Sequence, residues 1–162
     1  MNLQQLENAE NELQFETFTN EDALNLGIIL IDYAKENNTA VAIHIERNRV
    51  PLFTHLMDGT SEENVLWLYR KKRVVDHYNR SSHYIGARFE KQGTTHDESS
   101  LLQSSDYQAI GGSFPIRIKD IGVIGTVTVA GLTPQLDHDY AVEGVKRFLN
   151  NKKLLKGWSS NM

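Results

Sequence analysis

No cysteine occurs in the 162 residues. Disulfides, thiolate metal sites and a cysteine nucleophile are therefore excluded, and the composition fits a reducing compartment. No apolar run approaches the ~20 residues that a membrane-spanning helix needs. The N-terminus, MNLQQLENAENELQFETF, is acidic and polar. It has neither a basic n-region nor an apolar h-region, so no signal peptide is read and a soluble cytoplasmic chain is expected. A surplus of positive charge is missing too: 17 Lys plus Arg stand against 21 Asp plus Glu, a net charge of −4. That balance gives no general attraction to nucleic acid or to an anionic membrane. The aromatics do not interleave with a basic stripe as on an RNA-binding surface. Neither an internal repeat nor a low-complexity block is seen.

Catalytic and metal-binding patterns are equally scarce. No two histidines have zinc spacing with other ligands, and H-E-x-x-H is missing. No strand, Gly-rich loop and Lys-Ser/Thr run in phosphate-loop order. No Ser-His-Asp order, paired-carboxylate signature or nucleophile elbow is assignable. No catalytic residue is named on these grounds, and the balance leans away from an enzyme.

The length suits one domain, 1–162, with a core over about 20–150 and terminal extensions at 1–18 and 151–162. A chain of this size buries roughly 70% of its unfolded surface, so it needs no metal or disulfide to fold. The stretch NEDALNLGIILIDYAKENN reads as a helix capped by Thr19 or Asn20. Leu24, Ile28, Ile31 and Ala34 or Lys35 fall near helical spacing. AVAIHIE alternates, with Val41, Ile43 and Ile45 on one face and Ala42, His44 and Glu46 on the other. This predicts a strand with one buried face, hairpin-paired with PLFTHLM. Ser61 caps a helix running to about Asn79. FEKQGTTHDESSLLQSSD reads as a loop holding one short helix. Strands are expected around Tyr107–Ile118 and Gly122–Ala130, joined by a turn at Lys119–Asp120. A last helix begins near Asp137 as cap, with a buried stripe of Ala141, Val145 and Phe148. The tail KKLLKGWSSNM is expected to be partly ordered. Short turns between neighbouring strands imply antiparallel pairing, and so an α+β domain with helices packed on one mostly antiparallel sheet.

Five of the chain's 11 glycines crowd into IGGSFPIRIKDIGVIGTVTVAGL, Ile110 to Leu132. Gly111 and Gly112 allow positive φ or close backbone approach, and Pro115 fits an edge or a bulge. Arg70-Lys71-Lys72-Arg73 is a basic run within a helix. Successive residues turn 100°, so the four cannot all face solvent. Arg70 follows Leu66 and precedes Val74 by four, and Lys71 stands likewise between Trp67 and Val75. These two are therefore expected inward, satisfied by a carboxylate, an interface or a ligand, with Lys72 and Arg73 outward. Among the six histidines, His138 lies beside Asp137 at a helix N-terminus. That position keeps it neutral, either as a polar cap or able to bind a metal or accept a proton. His44 and His55, on the two strands, are weaker metal candidates, and each has an alternative reading as a hydrogen-bonded, semi-buried histidine.

The run GGSFPI, then GVIGTVTVAGL, then DH and a helix resembles the haem-degrading-domain family. ALNLGIILIDYAKENNTAVAIHIE is similar to that family's opening helix and first strand, and WLYRKKRVV with Ser82 to the signature of a small uncharacterised subgroup. The resemblance covers about 20–150. It implies a profilin-like α-β-α layered domain, assembly into homodimers or larger rings, and haem or a related tetrapyrrole as ligand. Arg70, Lys71, Gly111, Gly112, Ser113, Phe114 and His138 are the residues it points to as lining a ligand site. Two departures stand out: Ile110 occupies a position where the subgroup often has histidine, and Ala130 one where serine is usual. Two functions follow as expectations. One is an oligomeric binder of haem, a related tetrapyrrole or a small carboxylate. The other is a homo-oligomeric scaffold without catalytic activity, and apolar residues such as Trp67 and Phe114 are its candidate contact points. Contact between copies is expected at Gly122–Ala130 or the Trp67 helix, without nucleic acid or membrane.

Overall fold

A computed structural model describes residues 1–160. Ten elements follow in order: α1 Leu3–Asn11, α2 Asn20–Glu36, β1 Ala42–Arg47, β2 Val50–Leu56, α3 Glu62–Tyr78, α4 Ser82–Lys91, α5 His96–Ser99, β3 Ser113–Ile118, β4 Gly122–Ala130 and α6 Pro134–Ser160. The four strands form one antiparallel sheet in the order β2-β1-β4-β3. Helices α2 and α6 cover one face, and α3 with α4 covers the other. The α+β, α-β-α layering expected from the sequence is thus the architecture.

Local chemistry explains most boundaries. Thr19 caps α2: its hydroxyl accepts from the Asp22 N–H, and the Asp22 carboxylate accepts from the Thr19 N–H. Asn79 ends α3 in the left-handed conformation at φ +59°. The β1–β2 hairpin turns on Asn48 and Arg49, both left-handed at φ +52° and +64°, as a two-residue hairpin requires.

Several expectations need correction. The inward stripe of α2 is Ala23, Leu26, Leu30 and Ala34, whereas Leu24 and Ile28 are 42% and 45% exposed. The helix is apolar on nearly every side, and the stripe with small residues wins because α6 packs closely there, with Gly144 against Leu30. The last helix starts at Pro134 rather than Asp137. Thr133 accepts from the Leu136 N–H, and proline suits the first helical position. It continues through the tail to Ser160, and residues 161–162 lie outside the described part. Helix α4 was not anticipated, although Ser81 caps it and Ile85 and Phe89 sit four apart on its buried side. Helix α1 was also unforeseen. Its buried Glu10 accepts from both the N–H and hydroxyl of Ser81, which ties the N-terminal segment to α4. Strand β3 begins only at Ser113, since Gly112 at φ +144° interrupts extended backbone.

The largest change concerns β1, whose residues are buried on both faces. Ile43 and Ile45 face the main apolar core with Phe114, Ile116, Val127 and Val129. The opposite face, under α3, carries His44, Glu46, Ser113, Thr126 and Thr128, all buried. Strand β4 is central, so it cannot pair with another copy. The glycine inside it, Gly125, makes room for the Glu46 carbonyl of the same chain.

Candidate functional site

The polar underside of α3 decides which basic residues turn inward. Lys71 and Lys72 are buried, at 3% and 6% exposure, while Arg70 and Arg73 are half-buried. The expected pair, Arg70 and Lys71, is therefore corrected to Lys71 and Lys72. Counting aliphatic neighbours assumed an apolar sheet face. The actual face offers Glu46, whose carboxylate lies 3.1 Å from Lys72 Nζ, and Asp76 also pairs with Lys72. Arg70 instead stacks over Trp67, 4.8 Å from the ring centroid, and donates to the Ser105 carbonyl.

Lys71 points to the other end of the helix. Its Nζ donates to Asp137 Oδ2 at 2.8 Å and to the Val129 carbonyl at 3.3 Å. Asp137 Oδ1 accepts from the Leu132 N–H at 3.0 Å, so the β4–α6 loop is fastened to the same carboxylate. Burial lowers the pKa of the Lys71 ammonium and raises that of the Asp137 carboxyl, and their mutual attraction opposes both shifts. Gly112 makes this geometry possible: a Cβ there would lie 2.7 Å from Lys71 Nζ and 2.5 Å from the Val129 carbonyl oxygen. Gly111 does the same for α6, since its Cβ would meet the Pro134 carbonyl and approach His138 Cβ at 3.0 Å.

The Lys71–Asp137 pair forms the floor of a cleft of about 280 Å³ between α3 and the start of α6. Trp67, Ile110, Leu132 and Pro134 are its apolar walls, and Glu63 and Asn64 stand at its edge. An ammonium group has three donors. Two are used here, and the third has no protein partner among the described residues. A larger groove of about 640 Å³ runs between residues 12–17 and the end of α6, but its charged lining is solvent-exposed and no buried charge converges on it.

The histidines lie elsewhere. His138 is buried on the α4 side of α6, its ring stacked on His83 at 4.3 Å between centroids. Burial lowers its pKa to about 3, and His83 adds to the shift. His44 is buried, with both nitrogens bonded to protein groups, and His55 is exposed. No group of three metal-ligating side chains occurs among the described residues. A pH dependence follows from His138. The unfolded chain protonates it below its ordinary value near 6.5, whereas the folded chain does so only near 3. Stability is therefore full above pH 6.5 and falls as pH drops toward 3, by at most ~1.4 kcal/mol per pH unit from this group. Denaturant melts over that range should show a shallower slope for His138→Phe than for the parent.

Of the residues singled out from sequence, Lys71, Ile110 and Ala130 line the cleft, whereas Gly112 approaches Lys71 from behind and neither Gly111 nor Gly112 is in the lining. Ser113 is buried under α4, bonded to Ser82 and Thr128. Phe114 faces the main core. Arg70, His138, His44 and His55 are outside the cleft lining. Asp137, expected as a helix cap, and Trp67, expected as a contact point between copies, both line the cleft. The i, i+4 relation of Trp67 and Lys71 was the available signal that they share a side of α3.

The family model described as "Haem degrading protein HbpS-like" matches residues 18–146. A UPF0303 protein of Streptomyces coelicolor is 43% identical over 145 residues, which is 90% of this chain and 92% of that protein. The crystal structure of Ybr137w superposes with a TM-score of 0.86 at 30% identity, covering 93% of this chain and 88% of that one. A structure titled as a PduOC:heme complex reaches 0.67 at 17% identity, covering 80% and 94%, a likeness of fold alone. Among the described residues no helix is long and apolar enough to cross a membrane. By the extent of the family match and the identity to its relatives, the chain belongs to the HbpS-like haem-degrading protein family.

Proposed function

We propose that the cleft between α3 and α6 binds a small molecule bearing a carboxyl group. The observation that carries this reading is the unspent N–H of Lys71 at the cleft floor. Asp137 is already engaged through both oxygens, so the lysine is held in place with one donor left for a ligand. A carboxylate on that donor forms a charge-assisted bond in a low-dielectric setting, and the apolar walls receive the ligand's body.

Haem is the ligand suggested by the family description and by the neighbour titled as a haem complex. The residues of this cleft do not fit it. The lining holds no histidine, and Ile110 offers iron no lone pair. The volume, about 280 Å³, falls just below the ~300–1,000 Å³ typical of ligand pockets. A small carboxylate is the better match. Self-association is a second reading, favoured by Leu24 and Ile28, which stand exposed one turn apart on α2. Light scattering above the 18.4 kDa of one chain supports it, and that mass alone at micromolar concentration ends it.

Trp67 makes the cleft observable. With Trp158→Phe in the background, benzoate should change Trp67 fluorescence saturably, and Lys71→Met should abolish the change. Haemin should give a broad, unsaturable Soret band that sharpens in Ile110→His. A sharp 1:1 Soret band in the parent, with no benzoate response, would overturn the assignment.

A further inference from the structure

A second site lies on β1 and β2, outside the cleft. Thr54 and His44 are directly opposed in the strand register. Thr54 Oγ1 lies 2.6 Å from His44 Nδ1, and His44 Nε2 lies 2.7 Å from Glu46 Oε2. The imidazole is 1% exposed and the carboxylate 3%, while Thr54 is exposed. An exposed threonine thus shares a hydrogen-bonded chain with a buried imidazole and a buried carboxylate.

The direction of the hydrogen bonds follows from charge. Burial acts to raise the pKa of the Glu46 carboxyl, but the bond from His44 and the nearby Lys72 ammonium, 3.1 Å away, outweigh it and hold it below the ordinary range. An ionised carboxylate only accepts, so His44 Nε2 carries the proton and donates to it. Whenever the ring carries only that proton, Nδ1 is an acceptor and the Thr54 hydroxyl can donate to it. The ring is held in this orientation by both bonds and by Tyr69, whose ring centroid lies 5.1 Å away.

We infer that Thr54 is an activated nucleophile, with His44 as its general base and Glu46 as the residue that positions His44, and that it accepts acyl groups from activated esters. The arrangement meets the general requirement of a nucleophile within reach of a base that a third group orients. In the step, Thr54 Oγ1 bonds to the ester carbonyl carbon and its proton passes to His44 Nδ1. The ester C–O bond then breaks, the leaving alcohol takes the proton from His44, and an acyl-threonine remains.

The probe is p-nitrophenyl acetate with the full chain, read by peptide mass mapping over time. Ser104, an exposed hydroxyl in a loop, is the internal control. Acetylation at Thr54 is expected to exceed that at Ser104 by ~10²-fold or more, the usual contribution of general-base assistance. Thr54→Val should remove the label and Thr54→Ser restore it. Glu46→Gln should cut the rate at Thr54 without changing the rate at Ser104. Should Glu46→Gln or a His44 variant fail to fold, the comparison of Thr54 with Ser104 in the unsubstituted chain still decides. Equal rates at the two hydroxyls, or label only on lysines, would show that the three residues are merely structural and overturn the inference.

Discussion

Asp137→Ala is expected to cost about 3–5 kcal/mol of stability, because it leaves the Lys71 ammonium buried without its counter-charge. Both side chains are nearly inaccessible, at 3% and 2%. Among the described residues, the Val129 carbonyl is the one protein acceptor that remains for Lys71. The same substitution frees the Leu132 N–H, so the β4–α6 loop loses its tether. Lys71→Ala should cost less, since Asp137 then keeps its bond from the Leu132 N–H and the β4–α6 loop stays tethered. A paired replacement, Lys71→Met with Asp137→Leu, should recover most of the loss, as apolar pairs of similar volume commonly do. Urea melts of the four proteins measure these differences. A double variant no better than Asp137→Ala would show that the pair's role is geometric rather than electrostatic.

Gly112→Val should be strongly destabilising, because at this position backbone strain and crowding act together. A side chain at φ +144° carries roughly 1–3 kcal/mol of backbone strain. Crowding adds about 1–3 kcal/mol, because the Val129 carbonyl and the Lys71 ammonium occupy the space a Cβ needs. Gly93→Ala separates the two effects. Gly93 also has positive φ, at +75°, but nothing lies within 4 Å of its added Cβ. It should therefore show the backbone cost alone. Thermal melts in which Gly112→Val and Gly93→Ala fall equally would remove the crowding argument. A Gly112→Val protein that melts like the parent would remove the conformational one as well.

Patterns of local origin were legible in the sequence. The α3 cap and end, the β1–β2 hairpin, the β3–β4 turn and the stripe of Ala141, Val145 and Phe148 all follow from neighbours within a few residues. Information held by partners distant in sequence was not. Whether Lys72 faces inward depends on Glu46, 26 residues earlier, and Lys71 depends on Asp137, 66 residues later. Helix α2 could present either of two apolar stripes, and only the position of α6 selects between them. The glycine pair was recognisable as a place of close approach. That the approaching group is a lysine Nζ required the fold. Trp67 and Lys71 were visible together, whereas Asp137 as their companion was hidden behind its plausible role as a cap.

The most direct test of the cleft assignment is a crystal structure grown with benzoate. The predicted result is a single benzoate in the cleft, its carboxylate accepting from Lys71 Nζ and its ring between Trp67 and Leu132. An empty cleft in crystals saturated with benzoate, or a haem retained from purification against Ile110 and Gly111, would contradict it.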